Sequence, residues 1–245
     1  MPEDADREVE LALLVRGESP LESLDRIASL ERLAGRRLEP LPEQELRDTY
    51  LDTQARELGS RRIALRLRHV GGVSFLTLKV PQGEAQGGTD RVEIERPWSR
   101  EAWDTIAAEL ARVGVEVSAH GAAHDDPLET ARTAGLWPVQ RRRTQRRRRD
   151  VETLAELAVD SVLYELGRGG ARIGQVELEA RSADADLAEL AGALLVLFPE
   201  LVPWPHGKLA TGFALAAAIE GGTVTPGPDG WVPPSGLDAL ACRLA

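Results

Sequence analysis

The chain has 245 residues, 42% of them hydrophobic and 29% charged, and a formal net charge of -10, a composition typical of a globular protein with a sizeable core and not of a general nucleic-acid binder. The longest apolar run lies within residues 191–198, which is too short to cross a bilayer, and the acidic N-terminus lacks the apolar stretch of a signal peptide. The single cysteine, Cys242, excludes an internal disulfide, so we expect a cytoplasmic protein with no membrane partner and no nucleic-acid partner.

The N-terminal part of the chain alternates strand-like and helix-like stretches. Charged and apolar residues alternate over residues 8–15, which predicts a strand. A Ser-Pro pair at residues 19–20 is a helix start, and apolar residues at helical spacing then predict a helix that ends near Gly35. Residues 62–70 and 73–80 read as two strands joined by a Gly-Gly turn, which is typical of a hairpin.

The remainder of the chain continues this alternation. A Gly-rich loop is predicted at residues 83–90 and a strand at 91–95, and Ser99 is the predicted cap of a helix that runs to about Val113. The later predicted elements are a loop at residues 120–127, a short helix to residue 134, a hairpin of 139–151 and 155–162, a turn at 169–170, a strand at 173–180, and helices at 182–197 and 208–219.

Several predicted strands carry charged side chains on one face and aliphatic side chains on the other, because side chains two residues apart on a strand share a face. Five strands show this clearly and a sixth more weakly. The charged faces carry Glu8 and Glu10, then Arg66 and Arg68, then Thr77 and Lys79, then Arg91, Glu93 and Glu95, then Glu177 and Glu179, and, on the weaker strand, Asp160.

Amphipathic helices interleaved with these strands need an apolar surface to cover, and the aliphatic strand faces offer one. With helices on the outside, the charged faces point inward, and an eight-stranded barrel has room inside for one small ligand. Unpaired buried charge is costly, so such an interior must pair its charges or bind ions. Carboxylates suit hard divalent metals, and arginine and lysine suit phosphate oxygens. The pattern therefore predicts a metal-assisted polyphosphate site in an enclosed, wet channel.

The ordered motifs resemble those of the CYTH superfamily, the triphosphate tunnel metalloenzymes. The resemblance covers about residues 7–216, and both lysines of the chain, Lys79 and Lys208, fall on lysine positions of the family. The matching stretches are residues 8–12 for the family's ExExK, 50–53 for its Y-F-D-T, 65–68 for its LRxR, 77–79 for its TxK, and 91–95 for its RxExE.

The resemblance implies an α+β fold: a closed eight-stranded antiparallel β-barrel, the triphosphate tunnel, with helices packed on the outside. It implies metal-dependent hydrolysis of inorganic triphosphate, with Mg²⁺ or Mn²⁺ as cofactor and triphosphate or polyphosphate as partner. The implied metal ligands are Glu8, Glu10, Asp160, Glu177 and Glu179. The implied phosphate-binding residues are Arg66, Arg68, Lys79, Arg141, Arg143 and Lys208. The implied catalytic groups are Lys79, Asp160 and Glu177.

Two positions depart from the family pattern. Ala12 stands where ExExK has its lysine, and Thr211 stands where a C-terminal family motif has an arginine. Losing one charge-assisted bond to phosphate costs roughly 1.5–3 kcal/mol, so an alternative is a polyphosphate-binding module with little turnover. The family also includes thiamine triphosphatases and class IV adenylate cyclases.

Binding of nucleic acid through the arginine run at residues 141–149 is a third alternative. For the half of these arginines that faces outward, we favour a solvated edge strand that pairs with acidic helices.

We expect the tunnel domain to occupy residues 1–220. Residues 221–236 are rich in Gly and Pro and read as a linker, and residues 237–245 resemble the beginning of a helix. Many bacterial CYTH domains precede a helical CHAD domain that binds polyphosphate, so residues 221–245 are predicted to be a linker and the start of a truncated CHAD-like domain.

Residues 50–53 are predicted to shape a turn rather than to perform chemistry. Glu93 and Glu95 are predicted either to bind metal or to balance arginines.

Overall fold

A computed structural model gives the fold of most of the chain. The described residues are 6–85, 88–117, 126–167 and 169–244; within the strands, the side chains of residues 6–8, 82–85 and 88–91 are outside the description. Among the described residues, no helix is both long and apolar enough to cross a membrane.

The chain alternates strands with helices. The strands are β1 (Asp6–Val15), β2 (Arg32–Leu33), β3 (Arg36–Thr53), β4 (Ala64–Val70), β5 (Val73–Ala85), β6 (Gly88–Pro97), β7 (Leu136–Val151), β8 (Ala155–Leu166), β9 (Gly169–Ala180) and β10 (Leu201–Pro203). The helices are α1 (Pro20–Ala28), α2 (Glu57–Ser60), α3 (Arg100–Arg112), α4 (Pro127–Thr133), α5 (Leu187–Leu197), α6 (Lys208–Glu220) and α7 (Pro234–Leu244).

The strands form one sheet whose order is β10-β1-β6-β5-β4-β3-β7-β8-β9, with β2 paired to β3. β1 also pairs with β9, antiparallel, from Glu10 opposite Glu179 to Leu14 opposite Gln175. The order of eight strands therefore returns to its starting strand, as a closed barrel requires. The predicted antiparallel eight-stranded tunnel with outer helices is confirmed.

Two compact units share the chain, one of Met1–Arg7, Leu46–Gly83 and Arg91–Arg141, the other of Glu8–Glu45, Glu84–Asp90 and Arg142–Ala245. The core of the first unit joins the aliphatic faces of β3 to β6 with the helices that follow them. Its buried members include Leu65, Leu76, Leu78 and Ile94 from the strands and Trp103, Ile106 and Leu110 from α3. Ser99 caps α3 as predicted, accepting a hydrogen bond from the Ala102 amide.

In the second unit the apolar strand faces also pack against helices. One cluster joins Leu13, Leu157, Val159, Val176 and Leu178 of β1, β8 and β9 to Leu24 and Ile27 of α1 and Leu190 and Leu194 of α5. Another joins Val162, Tyr164 and Ile173 to Leu215 and Ala218 of α6 and Leu237 and Leu240 of α7. Helices α1 and α5 therefore cover the face opposite to the charged one, whereas Val162, Tyr164 and Ile173 share the face of Asp160 and Gln175, so α6 and α7 pack on the charged side of β8 and β9.

The predicted helix ending near Gly35 is too long. Helix α1 ends at Ala28, and Leu33 belongs instead to the two-residue strand β2. Ala34 and Gly35 both have positive φ, 49° and 78°, and turn the chain back into β3. The apolar spacing continued past the helix because Leu33 is buried in the same cluster as α1.

Strand β3 was not predicted, and the Gly-rich loop at 83–90 was predicted too long. The first half of β3 contains Pro40 and Pro42 and is largely exposed, so it lacks the regular alternation of a half-buried strand. In the Gly-rich stretch, β5 runs to Ala85 and β6 starts at Gly88, and residues 86–87 between them lie outside the described part of the chain.

Residues 221–244, predicted to be a linker and the start of another domain, belong to the second unit and pack against helix α6. Val224, Val232 and Leu240 are buried in the cluster that contains α6. Backbone hydrogen bonds join Arg172 of β9 to this segment, from the Arg172 amide to the Gly230 carbonyl (2.7 Å) and from the Val232 amide to the Arg172 carbonyl (2.9 Å). The segment is thus held along β9 in the structure, while the domain boundary at residue 220 and a CHAD-like continuation stay predictions.

Candidate functional site

The charged faces of β3 to β6 bring together a first group of polar side chains, which we term cluster 1. Arg66 and Arg68 lie two residues apart on β4, so both project from one face. Strand register places Asp48 opposite Arg68, and Thr77 opposite Arg66. Cluster 1 consists of Asp48, Arg66, Arg68, Thr77, Lys79, Glu93 and Glu95.

Each cation of cluster 1 has a carboxylate partner. Arg68 donates two hydrogen bonds to Asp48, from Nε to Oδ1 (2.9 Å) and from Nη2 to Oδ2 (3.2 Å). Arg66 Nη2 donates to Glu95 Oε2 (3.2 Å). Lys79 Nζ lies 3.3 Å from Glu93 Oε2. Of the two predicted roles for Glu93 and Glu95, the structure shows that of balancing cations.

Arg66 is the central cation of cluster 1, with Asp48, Glu93 and Glu95 all within ion-pair distance. Burial lowers the pKa of Arg66, but the negative charges of these neighbours outweigh it and raise the pKa above its ordinary value. For Glu95, burial raises the pKa, while Arg66 and a hydrogen bond from Thr77 lower it, and the net pKa is lowered. The buried Nε of Arg66 has no hydrogen-bond partner among the described residues.

A second group of charges, which we term cluster 2, consists of Arg146 on β7, Asp160 on β8, Glu177 on β9 and Lys208 at the start of α6. Arg146 donates to both oxygens of Asp160, from Nε to Oδ1 (2.8 Å) and from Nη2 to Oδ2 (2.6 Å), and from Nη2 to Glu177 Oε2 (2.7 Å). Lys208 Nζ contacts Asp160 Oδ2 (3.2 Å) and Glu177 Oε1. Two cations thus hold two carboxylates.

Cluster 2 is enclosed. The Asp160 side chain is 0% exposed and that of Arg146 is 12% exposed. Burial lowers the pKa of Arg146, but Asp160 and Glu177 overcome this and raise its pKa well above the ordinary value. An enclosed group of this kind keeps its charges only because each has a partner of opposite sign.

Lys208 enters cluster 2 because of the way helix α6 begins. The Tyr164 hydroxyl donates to the Lys208 carbonyl (3.2 Å). The buried Thr211 hydroxyl donates to the Gly207 carbonyl (3.1 Å) and accepts from Trp204 Nε1 (2.9 Å). Thr211, which stands where the family has an arginine, therefore fixes the first turn of α6.

The family of this fold follows from the sequence match. A family model described as the CYTH domain matches residues 6–201. The chain belongs to the CYTH domain family. No curated protein matches the chain.

Two solved structures share the fold of this CYTH domain. A candidate adenylate cyclase from Bacillus halodurans is 20% identical, with a TM-score of 0.55, and the match covers 84% of this chain and 96% of that one. A candidate adenylyl cyclase from Hippeastrum, whose structure was described as revealing a dominant triphosphatase activity, is 18% identical, with a TM-score of 0.55, and the match covers 89% and 98%. At these sequence identities, the similarity to the two structures is evidence for a shared fold.

The predicted metal ligands of the CYTH domain lie on neighbouring strands. Glu10 of β1 is directly opposite Glu179 of β9, which is opposite Glu156 of β8, so three carboxylates form one row across the sheet. Glu8 lies on β1, and its side chain is outside the described part of the chain. Among the described residues, no group of three or more His, Cys, Asp or Glu side chains is arranged to hold a metal ion.

Such a row still fits a metal that takes part of its ligands from a phosphate. Glu10 and Glu179, directly opposite each other on β1 and β9, offer two carboxylates to such an ion. Mg²⁺ is typically bound through one or two carboxylates together with substrate phosphates and water.

The arginine run of β7 was assigned the wrong face. The Arg143 side chain is 56% exposed and its Nε donates to Glu165 Oε1 (2.6 Å), and Arg141 is also exposed. The even-numbered residues are on the buried face, where Thr144 lies and where Arg146 joins cluster 2. Arginines occur at both parities in this run, so a period of two could not decide between the faces.

The outward arginines of β7 are engaged by the protein. Arg147 Nη1 contacts Asp25 of α1 (2.7 Å), and Arg149 Nε donates to the Ala28 carbonyl (2.7 Å). β7 lies between β3 and β8 and is not an edge strand. The predicted pairing of this face with an acidic helix is confirmed, and the predicted edge position is wrong.

Sequence reasoning missed Asp48 and Arg146 and assigned Asp52 correctly. Asp48 lies on β3, the strand that was not predicted, and the signal that could have found it is its position two residues before Tyr50 in the Y-x-D-T stretch. Asp52 accepts hydrogen bonds from the amides of Thr53 (2.8 Å), Leu58 (2.9 Å) and Gly59 (3.0 Å), so it shapes the turn as predicted.

Proposed function

We propose that this CYTH domain binds a triphosphate together with a divalent metal ion and hydrolyses its terminal phosphoanhydride bond, with inorganic triphosphate as the favoured substrate. The observation that supports this most is cluster 2, in which two cations and two carboxylates from β7, β8, β9 and the start of α6 are enclosed together. Proteins rarely enclose so many charges unless they serve a ligand or a network.

The cations of both clusters are the proposed phosphate ligands. In cluster 1 these are Arg66, Arg68 and Lys79. The buried Arg66 Nε, which lacks a partner among the described residues, is a donor available to an anionic oxygen. In cluster 2 they are Lys208 and Arg146, and Arg146 takes the role that the sequence had given to Arg141 and Arg143. Lys79 is the proposed catalytic cation, since it would oppose charge that develops on the phosphoryl group.

The carboxylates are the proposed metal ligands, with Mg²⁺ or Mn²⁺ as the ion. Glu10 and Glu179 would hold it first, and Glu8, two residues before Glu10 in the sequence, is proposed to assist. A bound metal ion would neutralise phosphate charge and polarise the scissile bond. Asp160 and Glu177 would join when a phosphate takes over Arg146 and Lys208, because each carboxylate then needs a new cation.

A phosphate-release assay tests this function. The wild-type chain is incubated with tripolyphosphate, ATP and thiamine triphosphate, each with Mg²⁺, Mn²⁺ or EDTA. We expect release from tripolyphosphate with metal and none with EDTA. Lys208→Ala is expected to lose at least about tenfold in kcat/KM, since a charge-assisted bond to phosphate contributes roughly 1.5–3 kcal/mol, whereas the exposed Arg143→Ala is the matched control. Release from none of the three substrates would contradict the proposal.

A second candidate is a polyphosphate-binding module with little turnover. Ala12 is directly opposite Glu177, so the cation that the family motif carries at this place is missing, and Thr211 is committed to the start of α6. Calorimetry with tripolyphosphate and a long-chain polyphosphate, run beside the release assay, separates the candidates. Tight metal-dependent binding without release favours the module; a large gain of activity in Ala12→Lys favours a weakened enzyme. Phosphate release from thiamine triphosphate alone would favour a thiamine triphosphatase. Formation of cyclic AMP from ATP would favour a class IV adenylate cyclase.

A further inference from the structure

Gln175 is a buried polar residue whose side-chain oxygen has no hydrogen-bond partner in the part of the chain that the structure describes. It lies on β9, which is paired with β8 on one side and β1 on the other, and it is 1% exposed. Its Oε1 atom has no partner among the described residues. A buried carbonyl left without a donor costs free energy, so native proteins usually satisfy such a group with a side chain, a water molecule or a ligand.

The surroundings of Gln175 belong to cluster 2. Gln175 is directly opposite Asp160 and two residues before Glu177, so the three side chains project from the same face of the sheet. Asp160 Oδ2 already accepts from Arg146 and Lys208, while Oδ1 accepts from Arg146 Nε. A carboxylate oxygen can accept about two hydrogen bonds, so Oδ1 retains capacity for one more donor.

Two neighbouring acceptors call for one molecule with two donors, and water is the smallest. We propose that Gln175 Oε1 and Asp160 Oδ1 hold a water molecule by its two hydrogens, and that this is the water that attacks the terminal phosphate. Held in this way, the water directs its lone pairs away from the two acceptors. This inference rests on the proposed hydrolysis for the attack, but not for the binding of the water.

The step balances without a separate base. The water oxygen forms a bond to the terminal phosphorus as the bond from that phosphorus to the bridging oxygen breaks. The bridging oxygen keeps the electron pair and leaves as pyrophosphate. In a loose transition state the transferred group resembles metaphosphate, and metaphosphate plus water is dihydrogen phosphate. Both protons stay on this product until it releases one to solvent.

Gln175→Met tests the role, since methionine has a similar length and no acceptor of comparable strength. We expect kcat for tripolyphosphate to fall about 100-fold, the loss typical of a misplaced reactant, with KM within about twofold of wild type because uniform binding is untouched. The melting temperature should stay close to that of the wild type, because methionine has a similar size and the acceptor is removed together with the water that it holds. Gln145→Leu, on the exposed face of β7, is the matched control.

Gln175→Glu is the conservative variant, and it keeps an acceptor oxygen at this place. We expect it to retain at least about ten times the kcat of Gln175→Met. A wild-type kcat in Gln175→Met would overturn the inference. A raised KM with unchanged kcat would also overturn it, because the amide would then be a phosphate ligand. So would a lowered melting temperature with the same loss of kcat in both variants, because the role of Gln175 would then be structural.

High-resolution crystal structures of the wild-type chain and Gln175→Met separate this inference from the proposed function. We expect a water about 2.7–3.2 Å from both acceptors in the wild type and its loss in the variant. If the wild-type chain releases no phosphate but holds the water, hydrolysis fails and the water site stands. If the chain hydrolyses triphosphate and the water is absent, the inference alone fails.

Discussion

At the scale of single residues, Arg146 has a structural role that does not depend on a ligand. It bridges Asp160 and Glu177, which sit on two different strands. Removing it would leave Lys208 as the one remaining cation of cluster 2 for both carboxylates. Breaking a buried ion pair by deleting one partner is far more costly than losing an exposed pair.

Arg146→Ala is therefore expected to lower the free energy of unfolding by about 3 kcal/mol, the lower part of the range for a broken buried pair, because Lys208 still compensates Asp160. Arg143→Ala, which breaks an exposed pair with Glu165, should change it by at most about 1 kcal/mol. Urea denaturation of both variants measures this. Equal losses would contradict the assignment of the two arginines to different faces of β7.

Glu95 gives a pH dependence of known sign. Its pKa in the folded chain is lowered, so the folded state favours the ionised form more than the unfolded state does. The stabilising contribution is fully present above the unfolded pKa, about 4.3, and is lost as pH falls through the lowered folded value.

Glu95→Gln tests this sign, because glutamine removes the titration and keeps the shape. The difference in unfolding free energy between wild type and variant should be constant above about pH 5 and shrink as the pH falls below about 4. Denaturation curves between about pH 3 and about pH 7, the window set by the carboxyl pKa, give this difference. A gap that widens toward acid would contradict it.

At the scale of elements, Thr211, which stands at the arginine position of the family motif, has a structural role of its own at the start of helix α6. Thr211 is 0% exposed and joins Trp204 to the Gly207 carbonyl. These two bonds fix the first turn of the helix, and Lys208 projects from that turn into cluster 2. The threonine thus acts on the site through the position of the lysine.

Thr211→Val is expected to lower the free energy of unfolding by about 1–3 kcal/mol, since a methyl group replaces a buried hydroxyl and leaves Trp204 Nε1 without an acceptor. Thr211→Ser keeps the hydroxyl and serves as the control for that bond. Thermal denaturation of the two variants, with calorimetric titration of metal and tripolyphosphate, measures the effect. Val and Ser variants with equal stability would rule out the structural role of the hydroxyl.

The elements also show which parts of the fold the sequence could predict. β4, β5 and β9 alternate charged and aliphatic residues, so their existence and the identity of their charged faces were predictable. β7 was located, yet its buried face was not, because arginines occupy both parities. β3 was not predicted because its first half carries Pro40 and Pro42 and buries little surface. Asp48 lies on β3 and was missed for the same reason.

At the scale of the whole molecule, the prediction of a tunnel fold rested on many weak patterns in order. No single ExE pair specifies a fold, but strands with one charged face and helices with one apolar face have few compatible arrangements. What such patterns cannot supply is the pairing within the interior. Which carboxylate holds which cation depends on register and on long-range partners, as the link between Arg146 and Glu177 shows.

Enclosed strand faces, and not outer arginines, are proposed to bind triphosphate and metal. A crystal structure of the chain with Mn²⁺ and a non-hydrolysable triphosphate would locate both ligands. We expect phosphate oxygens within hydrogen-bond distance of Lys208 and Arg146, and an anomalous manganese peak beside Glu10 and Glu179. Phosphate bound instead at Arg143, with Lys208 and Arg146 still held by Asp160 and Glu177 alone, would contradict binding at the enclosed faces.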